Sequence, residues 1–147
     1  MSHGLPHINA LFPNICDYSV ESPQSAAYNC IAWAGGDSER FWWPDADGKA
    51  HWPSSVPREL TVDAFLEAYG GVGYEQCEDG APEDGVEKIA IYASRAGEPT
   101  HAARQLENGK WTSKLGLAED IEHQKPEGLE GSQYGTVRAY MRRPRLE

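Results

Sequence analysis

Apolar residues recur at helical spacing in two stretches, both in the first half of the chain. The run 25–34, SAAYNCIAWA, is rich in Ala with apolar side chains three and four apart, and it stops at Gly35-Gly36, a pair suited to a helix C-terminus. The spacing predicts a helix with Cys30 near its first turns. The run 61–69, TVDAFLEAY, opens on a capping Thr61, sets Val62, Phe65, Leu66 and Tyr69 on one face and ends at Gly70-Gly71, which predicts a second helix. After residue 73 the pattern breaks into short segments, 73–77, 87–93, 100–106, 110–116, 120–123 and 136–142, separated by Gly, Pro, Asn and Asp. These read as strands of an antiparallel sheet. Glu107-Asn108-Gly109 signals a hairpin between two of them, since Asn and Gly accept the positive φ of tight turns.

Helices first and strands afterwards predict an α+β fold, with N-terminal helices packed on a C-terminal antiparallel sheet; a βαβ fold would alternate them. Two segments lack periodicity. Residues 1–23 contain Pro6, Pro13 and Pro23 and read as an extended lead-in around the core. Residues 37–59 carry three of the five tryptophans among three prolines and read as an ordered aromatic loop. At 147 residues the chain is expected to form one domain over 1–147, comprising the lead-in 1–23, a helical part with its Trp-rich loop over 24–70 and the sheet over 73–142.

Composition narrows the partners. Thirteen Lys and Arg against 23 Asp and Glu give a net charge of −10, which repels nucleic-acid phosphates and anionic membrane surfaces, so neither is expected as a partner. No apolar run approaches the roughly 20 residues that span a bilayer, and the first residues lack the basic-then-apolar order of a secretion signal. A cytoplasmic location is the expectation. Three cysteines, Cys16, Cys30 and Cys77, leave at least one thiol free in any intramolecular pairing.

Among side chains that carry chemistry, Cys30 sits where helix-terminal N–H groups favour a thiolate, whereas Cys16 and Cys77 read as packing residues. His101, 71 positions later at the start of a predicted strand, is placed as a base that meets its nucleophile through the fold. Metal binding is not expected: His3 and His7 are four apart and His123 follows Glu119, Asp120 and Glu122, but neither Cys-x-x-Cys nor His-Glu-x-x-His spacing occurs. Trp42, Trp43 and Trp52 offer either a stacking wall for a peptide or sugar, or anchors of the long loop, with at least one expected in the core. The acidic run 75–87 reads as a solvated loop.

The order helix-borne Cys, long loop, helix, then strand-borne His leading a hairpin is similar to that of the papain-like cysteine hydrolases, including the compact bacterial NlpC-type and CHAP peptidases and amidases. Gln24, six positions before Cys30 in QSAAYNCIAW, resembles the oxyanion-hole Gln of the papain pattern, and THAARQLENGKWTSKLG looks like its His strand, turn and next strand. The combination YNCIAWA, WWP, THAARQL and WTSKLG also looks like a bacterial domain family whose activity the resemblance does not supply. The resemblance implies Cys30 as nucleophile, His101 as acid and base, and Gln24 with the Cys30 N–H as oxyanion donors. Asn29 is a second candidate donor, or a helix-terminal residue bonding local backbone.

The third member, which orients the imidazole, departs from that pattern. The matching stretch offers Thr112, Ser113 and Lys114, with no carboxylate. With a bulge at the turn Ser113 shares the face of His101; without it Lys114 does, and its charge would lower the imidazole pKa. Asp120 and His123 are substitutes one strand further on. The resulting expectation is a hydrolase of an amide or related acyl bond in a peptide, protein or small molecule, with no cofactor. Its rivals are a non-catalytic binding domain of the same fold using a Trp-lined groove, and an effector or toxin module with deamidase or acyl-transferase activity.

Overall fold

The Ala-rich run closes into a short helix, α1, over Cys30–Ala34, which ends at a glycine pair with Gly36 at φ 91°. The computed structural model describes residues 18–22, 30–36, 40, 42–45, 47–106, 108–114, 120–123, 126, 130 and 134–145, so positions 25–29 of the predicted helix lie outside the described residues. The second helix, α2, spans Val62–Gly70 and is capped as its sequence requires: Thr61 is extended, and its hydroxyl accepts the Ala64 N–H at 3.1 Å. α2 buries Ala64, Phe65, Ala68 and Tyr69. Tyr69 donates its hydroxyl to the Ile31 carbonyl at 2.8 Å, which ties α2 to α1.

Among the described residues there are seven strands: β1 Tyr18–Ser22, β2 Glu75–Cys77, β3 Val86–Ala93, β4 Pro99–Gln105, β5 Trp111–Lys114, β6 Asp120–His123 and β7 Thr136–Pro144. They form one antiparallel sheet in the order β1-β6-β5-β4-β3-β7-β2. The α+β expectation is met, with one correction: residues 18–22, expected within the extended lead-in, are an edge strand pairing with β6. Five residues are too few for their alternation to stand out, and their partner lies a hundred positions downstream.

The β4–β5 hairpin closes through Leu106 N–H to the Lys110 carbonyl at 2.7 Å, with Gly109 at φ 86°. That places three residues in the loop, the form that uses a left-handed Gly. The register Arg104↔Thr112 and Gln105↔Trp111 follows, and by alternation Ser113 shares the face of Ala103 and His101.

Both faces of the sheet are covered. One meets the helices: Ile89, Ile91, Ala102, Ala139 and Met141 pack with Cys30, Ile31, Ala34, Phe65 and Tyr69, and with Trp42 and Trp52 from the aromatic loop. The other carries Ala90, Tyr92, His101, Ala103, Gln105, Trp111, Ser113 and His123, all buried. Its cover is made in part by the 79–83 loop, through Gln105 Nε2 to the Gly80 carbonyl at 2.8 Å and Lys88 Nζ to Glu83 at 2.7 Å. At the far end of the sheet Pro126 and Tyr134 take over, the Pro126 carbonyl accepting the Tyr92 hydroxyl. A strand buried along almost its whole length, as β3 is, is what a doubly covered sheet requires.

Candidate functional site

Cys30 lies in α1, 7% exposed and free of any disulfide. Its helix is pinned across the sheet where Trp33 Nε1 donates to Thr112 Oγ1 at 2.9 Å, and at its other end where the Tyr74 hydroxyl donates to the Ala34 carbonyl at 3.1 Å. The thiol lies within electrostatic reach of two phenols, Tyr69 and Tyr134, both held above their usual range chiefly by burial.

His101 stands opposite Tyr92 in the β3–β4 ladder, one residue beyond the Ile91↔Ala102 pair of the helix-side core, so its ring falls on the other face of β4 from Cys30. It is fully buried, and neither ring nitrogen has a hydrogen-bond partner among the described residues. Tyr134 lies flat on it, with ring centroids 4.1 Å apart and planes at 3°, and Tyr92 meets it edge-on at 5.1 Å. Burial, and then the like charge of nearby His123, hold the imidazole well below its ordinary value, so it is neutral at neutral pH. Tyr134 thus covers the imidazole with its face, and its phenol is raised by burial first and by Cys30 second.

Ser113 is buried on the His101 face, as the three-residue turn dictates, but its hydroxyl pairs with His123 Nε2 at 2.8 Å and not with His101. The expected contact is corrected because β6, the next strand, sets His123 opposite Trp111, within reach of Ser113. Lys114 and Asp120 are register partners at the end of that ladder. Gln24 and Asn29 lie outside the described residues.

The tryptophans resolve differently from the stacking wall. Trp42 is 3% exposed and stacks on Tyr69 at 6.2 Å; Trp52 is 4% exposed, packs on Phe65 at 5.1 Å and donates Nε1 to the Pro57 carbonyl. Trp43 is half-buried, edge-on to Phe65. Trp42 and Trp52 are thus core residues, because a loop of this length without regular structure needs large apolar anchors.

Composition did not point to two further features. Tyr92 and Tyr134 supply the aromatic surroundings of His101, and no spacing in the sequence links either to it. Glu87, almost fully buried, receives the Tyr74 hydroxyl at 2.6 Å, Arg143 at 2.9 Å and Arg104 Nε at 3.3 Å, with Arg145 at 3.7 Å. This cluster joins β3, β4 and β7 to the turn after α2. Among the described residues no group of three or more His, Cys, Asp or Glu is placed to hold a metal ion. Two open depressions of about 590 and 390 Å³ lie along β2 and β7, lined by residues that include Cys77 and Arg143 respectively. Neither is lined by Cys30 or His101.

A thiol carried by a short helix on one face of a seven-stranded antiparallel sheet, with a buried pair of imidazoles on the other, defines an α+β protein. The chain belongs to the family described as Domain of unknown function (DUF7689), whose model matches residues 19–142. Neither the curated proteins nor the solved structures include a match to it. Among the described residues no helix is long and apolar enough to cross a membrane.

Proposed function

We propose that this protein is a papain-like thiol hydrolase of an amide or related acyl bond, with Cys30 as nucleophile and His101 as acid and base. The observation that supports the reading is Tyr134, which lies flat on the His101 ring and whose phenol is raised chiefly by burial and then by the charge of Cys30. The imidazole is neutral at neutral pH and, among the described residues, nothing engages its one unprotonated nitrogen. In the reaction the thiol proton passes to a ring nitrogen as sulfur attacks the carbonyl carbon. The carbon–nitrogen bond then breaks, the departing amine takes that proton, and a thioester remains. Water adds to the thioester, giving its proton to His101, and the carboxylic acid leaves as the thiol re-forms. Gln24 and the Cys30 N–H are the proposed oxyanion donors. Because thiol and imidazole stand on opposite faces of β4, both sealed from solvent, productive geometry needs a rearrangement at this end of the sheet.

That same burial favours a second reading, a non-catalytic binding domain, although its expected Trp-lined groove loses Trp42 and Trp52 to the core. An effector module with deamidase or acyl-transferase activity would use the same first step as the hydrolase. A thiol-alkylating probe separates chemistry from binding. Cys77 is the internal comparison, since burial raises its thiol despite Lys88 nearby. Under the proposal Cys30 is labelled faster than Cys77, and His101→Ala slows Cys30 alone. Equal, slow labelling of both thiols, indifferent to His101, would refute it.

A further inference from the structure

We propose that Tyr134 is the positioning residue of His101, holding the imidazole by its face in place of a polar side chain bonded to its edge. The inference rests on the hydrolase reading above. Rotation of a histidine ring about its last torsion is broad and weakly selective, so a working imidazole needs an outside constraint. Usually that constraint is a hydrogen bond to the nitrogen away from the nucleophile. Here Ser113, placed on the right face, bonds His123, and neither nitrogen of His101 is engaged among the described residues.

Before the rearrangement that productive geometry needs, what fixes the ring is packing on its sides. Tyr134 lies parallel to it at 4.1 Å and Tyr92 stands against it at 5.1 Å. A parallel stack limits tilt without engaging either in-plane nitrogen. Tyr134 is itself tied to the strand that carries His101: its carbonyl accepts the hydroxyl of Thr100, the preceding residue. The next residue, Gly135, has φ 80°, and a Cβ there would lie 2.0 Å from the Ala93 carbonyl oxygen, so only glycine lets the chain turn against the β3 bulge at this point. Tyr92 is fixed in turn by its hydroxyl on the Pro126 carbonyl.

The titratable groups around the ring are Tyr92 from β3, His123 from β6 and Tyr134, with Cys30 of α1 reaching Tyr134. Among the described residues none is a carboxylate that would favour the imidazolium. Removing the Tyr134 ring opens a face of His101 to water, which moves its titration up toward the ordinary histidine value.

The test compares wild type, Tyr134→Phe, Tyr134→Leu and His101→Ala. The readouts are the pH profile of Cys30 labelling by iodoacetamide and the NMR signals of the His101 ring. Phe keeps the stack, so its labelling rate, pH profile and ring-current displacement match wild type. Leu loses the stack: labelling falls about tenfold, its acid limb moves to higher pH, and the ring-current displacement of His101 disappears. Leu matching wild type while His101→Ala is slow would overturn the inference and leave the hydrolase reading standing. Phe failing as badly as Leu would also overturn it, by assigning the role to the hydroxyl. If His101→Ala leaves wild-type labelling unchanged, the hydrolase reading falls. The NMR comparison still decides the positioning role in that case, since His101 signals unmoved in Tyr134→Leu would overturn it.

Discussion

Replacing His101 by phenylalanine should make the protein less sensitive to acid, by an amount that follows from the burial of the ring. In the unfolded chain this histidine takes up a proton near its ordinary value of 6.5, whereas in the folded protein burial and His123 keep it neutral to far lower pH. Between those limits the unfolded state binds the extra proton, so folding stability falls as pH falls. The slope approaches 1.4 kcal/mol per pH unit for one group. From about pH 7.5 to about pH 5 the wild type should therefore lose about 2 kcal/mol through His101 alone. His101→Phe removes that loss and also two buried nitrogens without partners among the described residues, each of which costs on the order of 1–3 kcal/mol in an interior. Near neutral pH the variant should thus be at least as stable as wild type, while its Cys30 labelling is slow. Urea denaturation of both proteins at the two pH values measures the difference, the other histidines cancelling between them, with equal m values as the check on two-state behaviour. Equal losses of stability on acidification would show that His101 is hydrated or hydrogen-bonded in the folded protein, and the reasoning would fail.

Trp52→Ala should cost about 3–5 kcal/mol, because the ring is buried against Phe65; a drop in thermal midpoint is the readout, and a wall exposed for ligand stacking would leave stability unchanged. Glu87→Ala should cost a similar 3–5 kcal/mol at neutral pH, since it strands Arg104 and Arg143 without their shared carboxylate. Burial alone would raise the Glu87 carboxyl, but the Tyr74 hydroxyl, Arg104 and Arg143 outweigh it and hold the group below its usual value of 4.5. Its stabilisation is accordingly present above that value and lost as pH falls through the lowered one. Denaturation curves of wild type and Glu87→Gln should converge at low pH, and a constant gap would contradict this assignment.

Much of the architecture was legible because local rules and tertiary structure agree. Thr61 is a cap in any context where an apolar helical run follows it, and Asn108-Gly109 favours a tight turn before any strand pairs. The turn also decides register. Three loop residues put Ser113 on the face of His101, one of the two alternatives its sequence left open. The strand 18–22 escaped notice because its reason for being extended is β6, far along the chain. The tryptophans were ambiguous for a related cause: an aromatic ring is equally suited to a groove and to a core, and the choice depends on whether α2 brings Phe65 and Tyr69 beneath it.

By itself the sequence determined the order of helices and strands, a helix carrying Cys30 that stops at Gly35-Gly36, and the absence of a carboxylate in the strand that follows the His strand. Those are properties of neighbours in the chain, set by periodicity, capping and turn chemistry. Only the tertiary structure decided that Ser113 answers to His123, that Glu87 gathers three arginines, and that two tyrosine rings frame His101. Such pairings join residues from separate strands and loops, and they form only when the sheet's register and its two covering layers bring distant side chains to the same few ångströms.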